Sequence, residues 1–401
     1  MNPWPIVFAS LLRFRYTALA FIFLILAGTA LSVAITSQER ALRSGSANAA
    51  EKFDLVVSPV GSRTDALLTS VYLQPGSSRL LSPEVTANLL NDEQASFVSP
   101  LAFGDSHRGY PIIGVTGELV THLSDGTLPE GRVFADRNEA VAGSDVDIAL
   151  GQTFSPSHGV HAAADEMESE GHDVDITIVG RMARTGSPWD RALIIPVETV
   201  WGVHGLEGGQ NNTLGRPYAE NAVSGIPAAV IRAESVADTY RLRQKYNTDE
   251  TMAFFPAEVL IQLYTTLGDV RQVMTLMSLV TQGLVMLSVV ASVLILFRLL
   301  MPQFVTLRAI GAPRLYIFLI AWGFVAILFT VGIILGVGFG YLVALVLSRV
   351  IEAQIGIALT PMIGQPELLL ALILWGLGLV IALLPALYLQ RQPLAAAMKA
   401  Y

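Results

Sequence analysis

The chain has no cysteine, only three lysines and only 14% charged residues over 401 positions. Each shortage excludes something. Without cysteine there is no disulfide, no thiolate metal ligand and no cysteine nucleophile, although the redox compartment stays open. The lysines are Lys52, Lys245 and Lys399, and none sits in Gly-x-x-x-x-Gly-Lys-[Ser/Thr]. The backbone cradle and lysine that a P-loop needs for phosphates are therefore missing, so the chain is no P-loop ATPase. No Gly-x-Ser-x-Gly elbow and no His-Glu-x-x-His pair is present either, which removes the common hydrolase and zinc-protease signatures. A pI of about 5.3 with no outward basic patch argues against nucleic acid as a partner.

Long apolar runs stand in place of charge. They cover residues 16–36, 273–297, 315–347 and 368–390. A hydrocarbon core about 30 Å thick is crossed by about 20 helical residues, and all four runs reach that length. The sequence therefore predicts an α-helical membrane protein with four transmembrane helices. Between the first and second lies a polar stretch, 37–272, with 17 basic and 31 acidic residues and a net charge of −14.

The short flanking segments are basic instead. Arg13 and Arg15 lie in residues 1–15, Arg298, Arg308 and Arg314 in 298–314, and Arg391 and Lys399 in 391–401, with no acidic residue in any of them. Short basic segments stay cytoplasmic. Both ends are then expected in the cytoplasm and 37–272 outside, which in a double-membrane bacterium is the periplasm, with 348–367 a short periplasmic loop. The first run is longer than a signal-peptide h-region, and it is expected to be retained as an anchor.

The outer stretch reads as α+β. Short β-rich runs occur at 53–57, 110–115, 175–179, 192–196 and 227–231, and helical patterns at 65–73, 235–246 and 256–267. Gly, Pro and Asp turns crowd 130–224, which suggests a β-rich subdomain inserted between halves 37–129 and 225–272.

Ionisable residues are scarce inside the apolar runs; Arg298, Arg349 and Glu367 fall near their ends. Proton- and ion-coupled transporters place such groups in the membrane, so a polar path through the bilayer is not expected. Gly332, Gly336 and Gly340 recur at every fourth position of the third run. Small residues at this spacing let helices approach closely in lipid, either within one chain or at an interface that slides between copies.

Leu307-Arg-Ala-Ile-Gly-Ala312, preceded by Arg298 and Gln303 and followed by Arg314, resembles the coupling segment of the FtsX-like (type VII) ABC permease superfamily, near the MacB and lipoprotein-releasing permeases. Gln303 stands where that pattern commonly has Glu. The ending Leu384-Pro-Ala-Leu-Tyr-Leu-Gln-Arg-Gln-Pro-Leu394 resembles the superfamily's terminus. Glu130–Phe134, Val141–Val146 and Ile178–Asp190 resemble its MacB-like periplasmic core.

The resemblance implies a permease subunit that relays motion from a separate cytoplasmic ABC ATPase, which holds ATP and Mg, to the periplasmic domain. Docking would use Arg298, Gln303, Leu307, Arg308, Gly311 and Arg314. The permease would pair with a second copy or a related chain, sit in the bacterial inner membrane, and meet a periplasmic partner or adaptor. The cargo is open, with lipid-linked or transition-metal-associated molecules as candidates. The other class of function is a non-transporting regulator that activates a periplasmic partner such as a cell-wall hydrolase. Asp190, in the matching turn, is expected to be structural.

Four histidines, His158, His161, His172 and His204, share one stretch with Asp165, Glu166, Glu168, Glu170, Asp173 and Asp175. Imidazole with carboxylate suits zinc, so Zn in this periplasmic loop is one expectation. An acidic, solvated loop with incidental histidines is the other. His107 and His122 are isolated and expected to be structural.

Overall fold

The computed structural model describes the chain except for residues 1, 75, 77–78, 159–173, 204–213, 267, 269–275, 277–278, 281–282, 285, 288–289, 292–300, 302, 305 and 392–401. It divides into two units. The helical unit comprises 1–42, 268–350 and 359–401. The sheet unit comprises 43–267 and a short return, 351–358.

The chain begins with α1 (Trp4–Arg13) and α2 (Arg15–Glu51). The segment expected to be a cytoplasmic tail is thus largely helix, and Val7 of α1 is fully buried in the bundle core. The run expected at 16–36 continues unbroken to Glu51. Residues 37–51 are alanine-rich and contain no proline, so nothing ends the helix where its lipid-compatible part ends.

The sheet unit follows: β1 (Leu55–Pro59), α3 (Arg63–Ser70), α4 (Pro83–Leu90), β2 (Phe97–His107), β3 (Tyr110–Val115), α5 (Gly117–Leu123), β4 (Glu130–Gly131), β5 (Glu139–Ala142), β6 (Thr153–Phe154), β7 (Ser157–His158), β8 (Ile176–Arg181), β9 (Leu193–Pro196), α6 (Val197–Val203), β10 (Ala228–Arg232), α7 (Val236–Lys245), β11 (Thr251–Phe254) and α8 (Pro256–Thr266). Then come α9 (Arg314–Ile355) and α10 (Gln365–Arg391).

Among the described residues three helices, α2, α9 and α10, are long and apolar enough to cross a membrane. The expected second span, 273–297, lies mostly outside the described residues; those of it that are described are helical.

The bundle core of the helical unit combines Phe21 and Ile25 of α2, Phe324, Val325 and Leu328 of α9, and Ala371 and Ala382 of α10. Two indole N–H groups bond across α9 and α10. Trp322 Nε1 donates to the Leu379 carbonyl at 3.3 Å and Trp375 Nε1 to Thr330 Oγ1 at 3.0 Å. At another point of this unit Glu367, 1% exposed, accepts from Arg40 Nη2 at 2.6 Å and from the Gly364 N–H at 2.9 Å. That pairing is what permits a carboxylate to be buried there.

The sheet is mixed, in the order β11-β1-β10-β2-β3-β9-β5-β8-β4, with β6 on β8 and β7 on β2. β3–β9 and β5–β8 are parallel; the other pairs are antiparallel. β2 joins the two halves. Its residues 97–101 pair with β10 and its later residues with β3, across a register shift between Phe103 and Ser106. The strands of 130–224 therefore extend one continuous sheet. Ser62, Ser82 and Ser235 cap α3, α4 and α7 through their hydroxyls, each satisfying an otherwise orphaned N–H.

Trp189 is fully buried. Its indole N–H donates to the Val71 carbonyl at 3.1 Å and its ring lies 5.8 Å from that of Phe53. Burying a ring of this size contributes roughly 2–3 kcal/mol.

Candidate coupling surface and helix interface

The Leu307–Ala312 motif has a clear geometric meaning. Residues 306–309 are helical, and the helix stops at Gly311, whose φ is +100°. The Ala312 N–H bonds to the Leu307 carbonyl and the Gly311 N–H to the Arg308 carbonyl, both at 3.0 Å. This 6→1 and 5→2 pair is a Schellman ending, which takes glycine at its positive-φ position and a hydrophobic contact between the residues flanking it. Leu307 and Ala312, on either side of the turn, both pack against the bundle core, which includes buried Phe304.

The rest of the motif is turned outward. Ile310 is 80% exposed, Gly311 and Arg314 are exposed, and Gln303 and Arg308 are half-buried. Arg298 lies outside the described residues. Ile310, which is not among the residues expected to dock, has its large apolar side chain in the open.

The glycine stripe lies against α2 of the same chain. A Cβ on Gly332 would stand 2.8 Å from Ile25 Cβ. One on Gly336 would stand 2.7 Å from Thr29 Cβ and 3.0 Å from the Leu26 carbonyl oxygen, and one on Gly340 would stand 2.6 Å from the Ala30 carbonyl oxygen. Gly338, off the stripe, has nothing within 4 Å.

Asp190 organises the turn in which it sits. It is 2% exposed. Oδ1 accepts from the Thr185 N–H and hydroxyl, both at 2.7 Å, and Oδ2 accepts from the Gly186 N–H at 2.7 Å. Its backbone carbonyl accepts from the Asp145 N–H at 2.8 Å. All of these bonds hold loop backbone and hydroxyl, so the carboxylate acts as a brace.

The four candidate metal ligands are largely beyond description. His161, His172 and His204 lie outside the described residues, and for His158 only the backbone is described, in β7 opposite Asp105 of β2. Among the described residues no group of three or more His, Asp or Glu is arranged to hold a metal ion.

Sequence reasoning also missed a cavity of about 870 Å³ in the sheet unit, lined by Phe97, Phe134, Glu118, Tyr218 and Arg232 among others. His122 forms part of its wall. Its Nε2 bonds to the Lys52 carbonyl at 2.9 Å, which leaves Nδ1 to accept from Arg232 Nη1 at 2.6 Å. Burial holds the His122 pKa below the usual histidine value, and the Arg232 guanidinium pushes the same way. Opposite, Glu198 accepts from the Tyr218 hydroxyl at 3.0 Å and the Gly215 N–H at 2.8 Å. Burial first, and then Glu198, raise the Tyr218 pKa and keep the phenol protonated. No spacing rule links these residues, since Lys52, His122 and Arg232 are 70 and 110 positions apart.

Residues 275–394 match the FtsX-like permease C-terminal family. The match spans the Schellman turn, the glycine stripe and all of α10. No curated protein matches the chain. Among solved structures, the extracellular domain of the noncanonic ABC-type transporter YknZ from Gram-positive bacteria is similar at 9% identity, covering 50% of this chain and 98% of that one, with a TM-score of 0.27.

Proposed function

We propose that the chain is the permease subunit of an ATP-driven ABC complex, relaying motion from a separate cytoplasmic ATPase to the sheet unit. The observation that carries this reading is the family match over 275–394, together with the Schellman turn inside it. Leu307 and Ala312 tie the turn to the bundle, while Ile310 and Arg314 face outward as a docking surface. With no P-loop of its own, the chain leaves ATP and Mg to its partner.

The same reading puts the protein in the bacterial inner membrane, with both ends cytoplasmic and the sheet unit periplasmic. It pairs the chain with a second copy or a related chain. The apolar runs supply no ionisable path, so the work is done on a cargo or partner outside the bilayer.

The test is to purify the chain in nanodiscs with its co-encoded proteins and follow ATP hydrolysis. Arg308→Glu and Ile310→Asp are each expected to cut permease-stimulated hydrolysis at least tenfold. Unaltered stimulation in both would refute the docking surface. Copurification of a wall hydrolase, with no cargo-binding partner, would favour the regulator over the transporter.

A further inference from the structure

The sheet unit is one continuous stretch, 43–267, with a single exception: the eight residues Ile351–Ala358, which end α9 and begin the connection to α10. The two ends of the main stretch are joined to the helical unit by peptide bonds. The return is held to the sheet unit by non-covalent contacts, and these converge on one short turn, residues 184–191.

A helix C-terminus leaves carbonyls without partners and carries partial negative charge. α9 ends in a single 5→1 cap: the Gly356 N–H bonds to the Glu352 carbonyl at 2.8 Å, with Gly356 at φ +70°. The freed end meets two cations from the turn. Arg191 Nη1 donates to the Ala353 carbonyl at 2.7 Å, and Arg184 Nη2 pairs with Glu352 Oε1 at 2.9 Å. The Ala358 N–H then bonds to the Gly186 carbonyl at 3.0 Å. Packing is close as well, since a Cβ on Gly356 would stand 3.1 Å from Pro188 Cα.

The turn itself is stiff. Asp190 braces three donors within it, and Trp189 anchors it in the core beside Phe53. A displacement of the α9 end would therefore reach the sheet through Trp189 and Asp190 with little lost to loop bending.

We propose that the 184–191 turn is a receptor for the end of α9, and that displacement of this helix is delivered to the sheet unit there, with Arg184 and Arg191 as positioning residues. The proposal rests on the permease reading above and adds the place where one helix grips the outer domain.

The experiment uses the complex with its ATPase in nanodiscs and measures the ATP-dependent change in amide hydrogen exchange across 43–267. Arg184→Glu with Arg191→Glu sets two acids against Glu352 and the carbonyl end of α9. The ATP-dependent change is expected to fall at least threefold while the ATPase still copurifies, and Glu352→Arg added to this pair is expected to recover the part carried by the ion pair between positions 184 and 352. A merely structural role would not give that rescue. An unchanged exchange response in the double variant, or no recovery on adding Glu352→Arg, overturns the receptor.

A second measurement does not depend on the charged variants folding. A Cβ on Gly186 would stand 3.3 Å from Ala358 Cβ, near disulfide distance, and the chain has no other cysteine. Gly186→Cys with Ala358→Cys should cross-link under mild oxidation and keep the ATP response; failure to cross-link refutes the grip. If the parent complex shows no ATP-dependent change at all, the permease reading falls and the receptor with it. A parent response that survives in the double variant sinks the receptor alone.

Discussion

Gly340→Ala and Gly338→Ala make a controlled pair on one helix. The two glycines are two residues apart on α9, and both substitutions add one methyl group. Intrinsic helix propensity favours alanine at either site by about 1 kcal/mol. At Gly338 nothing lies within 4 Å, so that gain should appear with no steric penalty, and the variant should be as stable as the parent or more so.

At Gly340 the new Cβ would stand 2.6 Å from the Ala30 carbonyl oxygen and 2.9 Å from Ala30 Cα, both backbone atoms of α2. No side chain can swing away. Ordinary contact begins at 3.4 Å, so α2 and α9 must part by about 0.8 Å along this face, and overpacking of this kind costs about 1–3 kcal/mol. The expected difference between the two variants is thus about 1–3 kcal/mol, with Gly340→Ala the weaker. Thermal unfolding of the detergent-solubilised chain, followed by loss of monodisperse protein on size exclusion, measures it. Equal stability for the two variants would refute close packing of the glycine face on α2. So would a lower stability for Gly338→Ala.

Two further effects follow from the sheet unit. Asp190→Ala removes three charge-assisted bonds and strands two N–H groups; it should destabilise the sheet unit by about 3 kcal/mol, visible as early protease cleavage near residues 184–191, and Asp190→Asn should cost clearly less. The second effect is on acid stability. Burial would raise the Asp92 pKa, but hydrogen bonds from Lys245 and Tyr246 outweigh it and hold it below the usual carboxylate value; hydrogen bonds from Arg132 hold Glu139 at about 2. Both groups bind fewer protons folded than unfolded, so their stabilisation is present above about pH 4 and is lost as pH falls through the folded pKa values. Melting temperatures between pH 5 and 2 should fall less steeply for Asp92→Asn with Glu139→Gln than for the parent; an unchanged slope would count against both pairings.

What the sequence could convey depended on whether the partner was near in the chain. β1, β3, β8, β9 and β10 lie on the β-rich runs read from composition, and α7 and α8 on the helical patterns, because alternation and capping are local. The glycine at 311 is a local signature too, yet the segment read as a coupling motif and not as the Schellman helix end that the structure shows. The extents of α2 and α9 were not legible. Hydropathy marks where lipid contact ends, while a helix runs on until a breaker, and none occurs before Glu51 or Gly356. Residues 348–367 read as a plain loop because Ile351–Ala358 carries no hint of a partner more than 160 positions upstream. Likewise, turn-rich 130–224 looked like a separate insert, and it is the pairings of β3 with β9 and of β2 with β7 that tie it into the common sheet.

The position of β1 has a consequence for how the protein is made. Both of its neighbours arrive late: Leu55 pairs with Ile231 of β10, and Val56 with Phe254 of β11. At about 5–20 residues per second, synthesis leaves this strand waiting on the order of 10–30 s before either flank exists. Leu55, Val56 and Val57 are all fully buried at the end, so throughout that interval a sticky apolar ribbon is bare along both edges. Production of the chain should accordingly be sensitive to the supply of holding chaperones on the side where residues 43–267 emerge, far more than its finished stability would suggest.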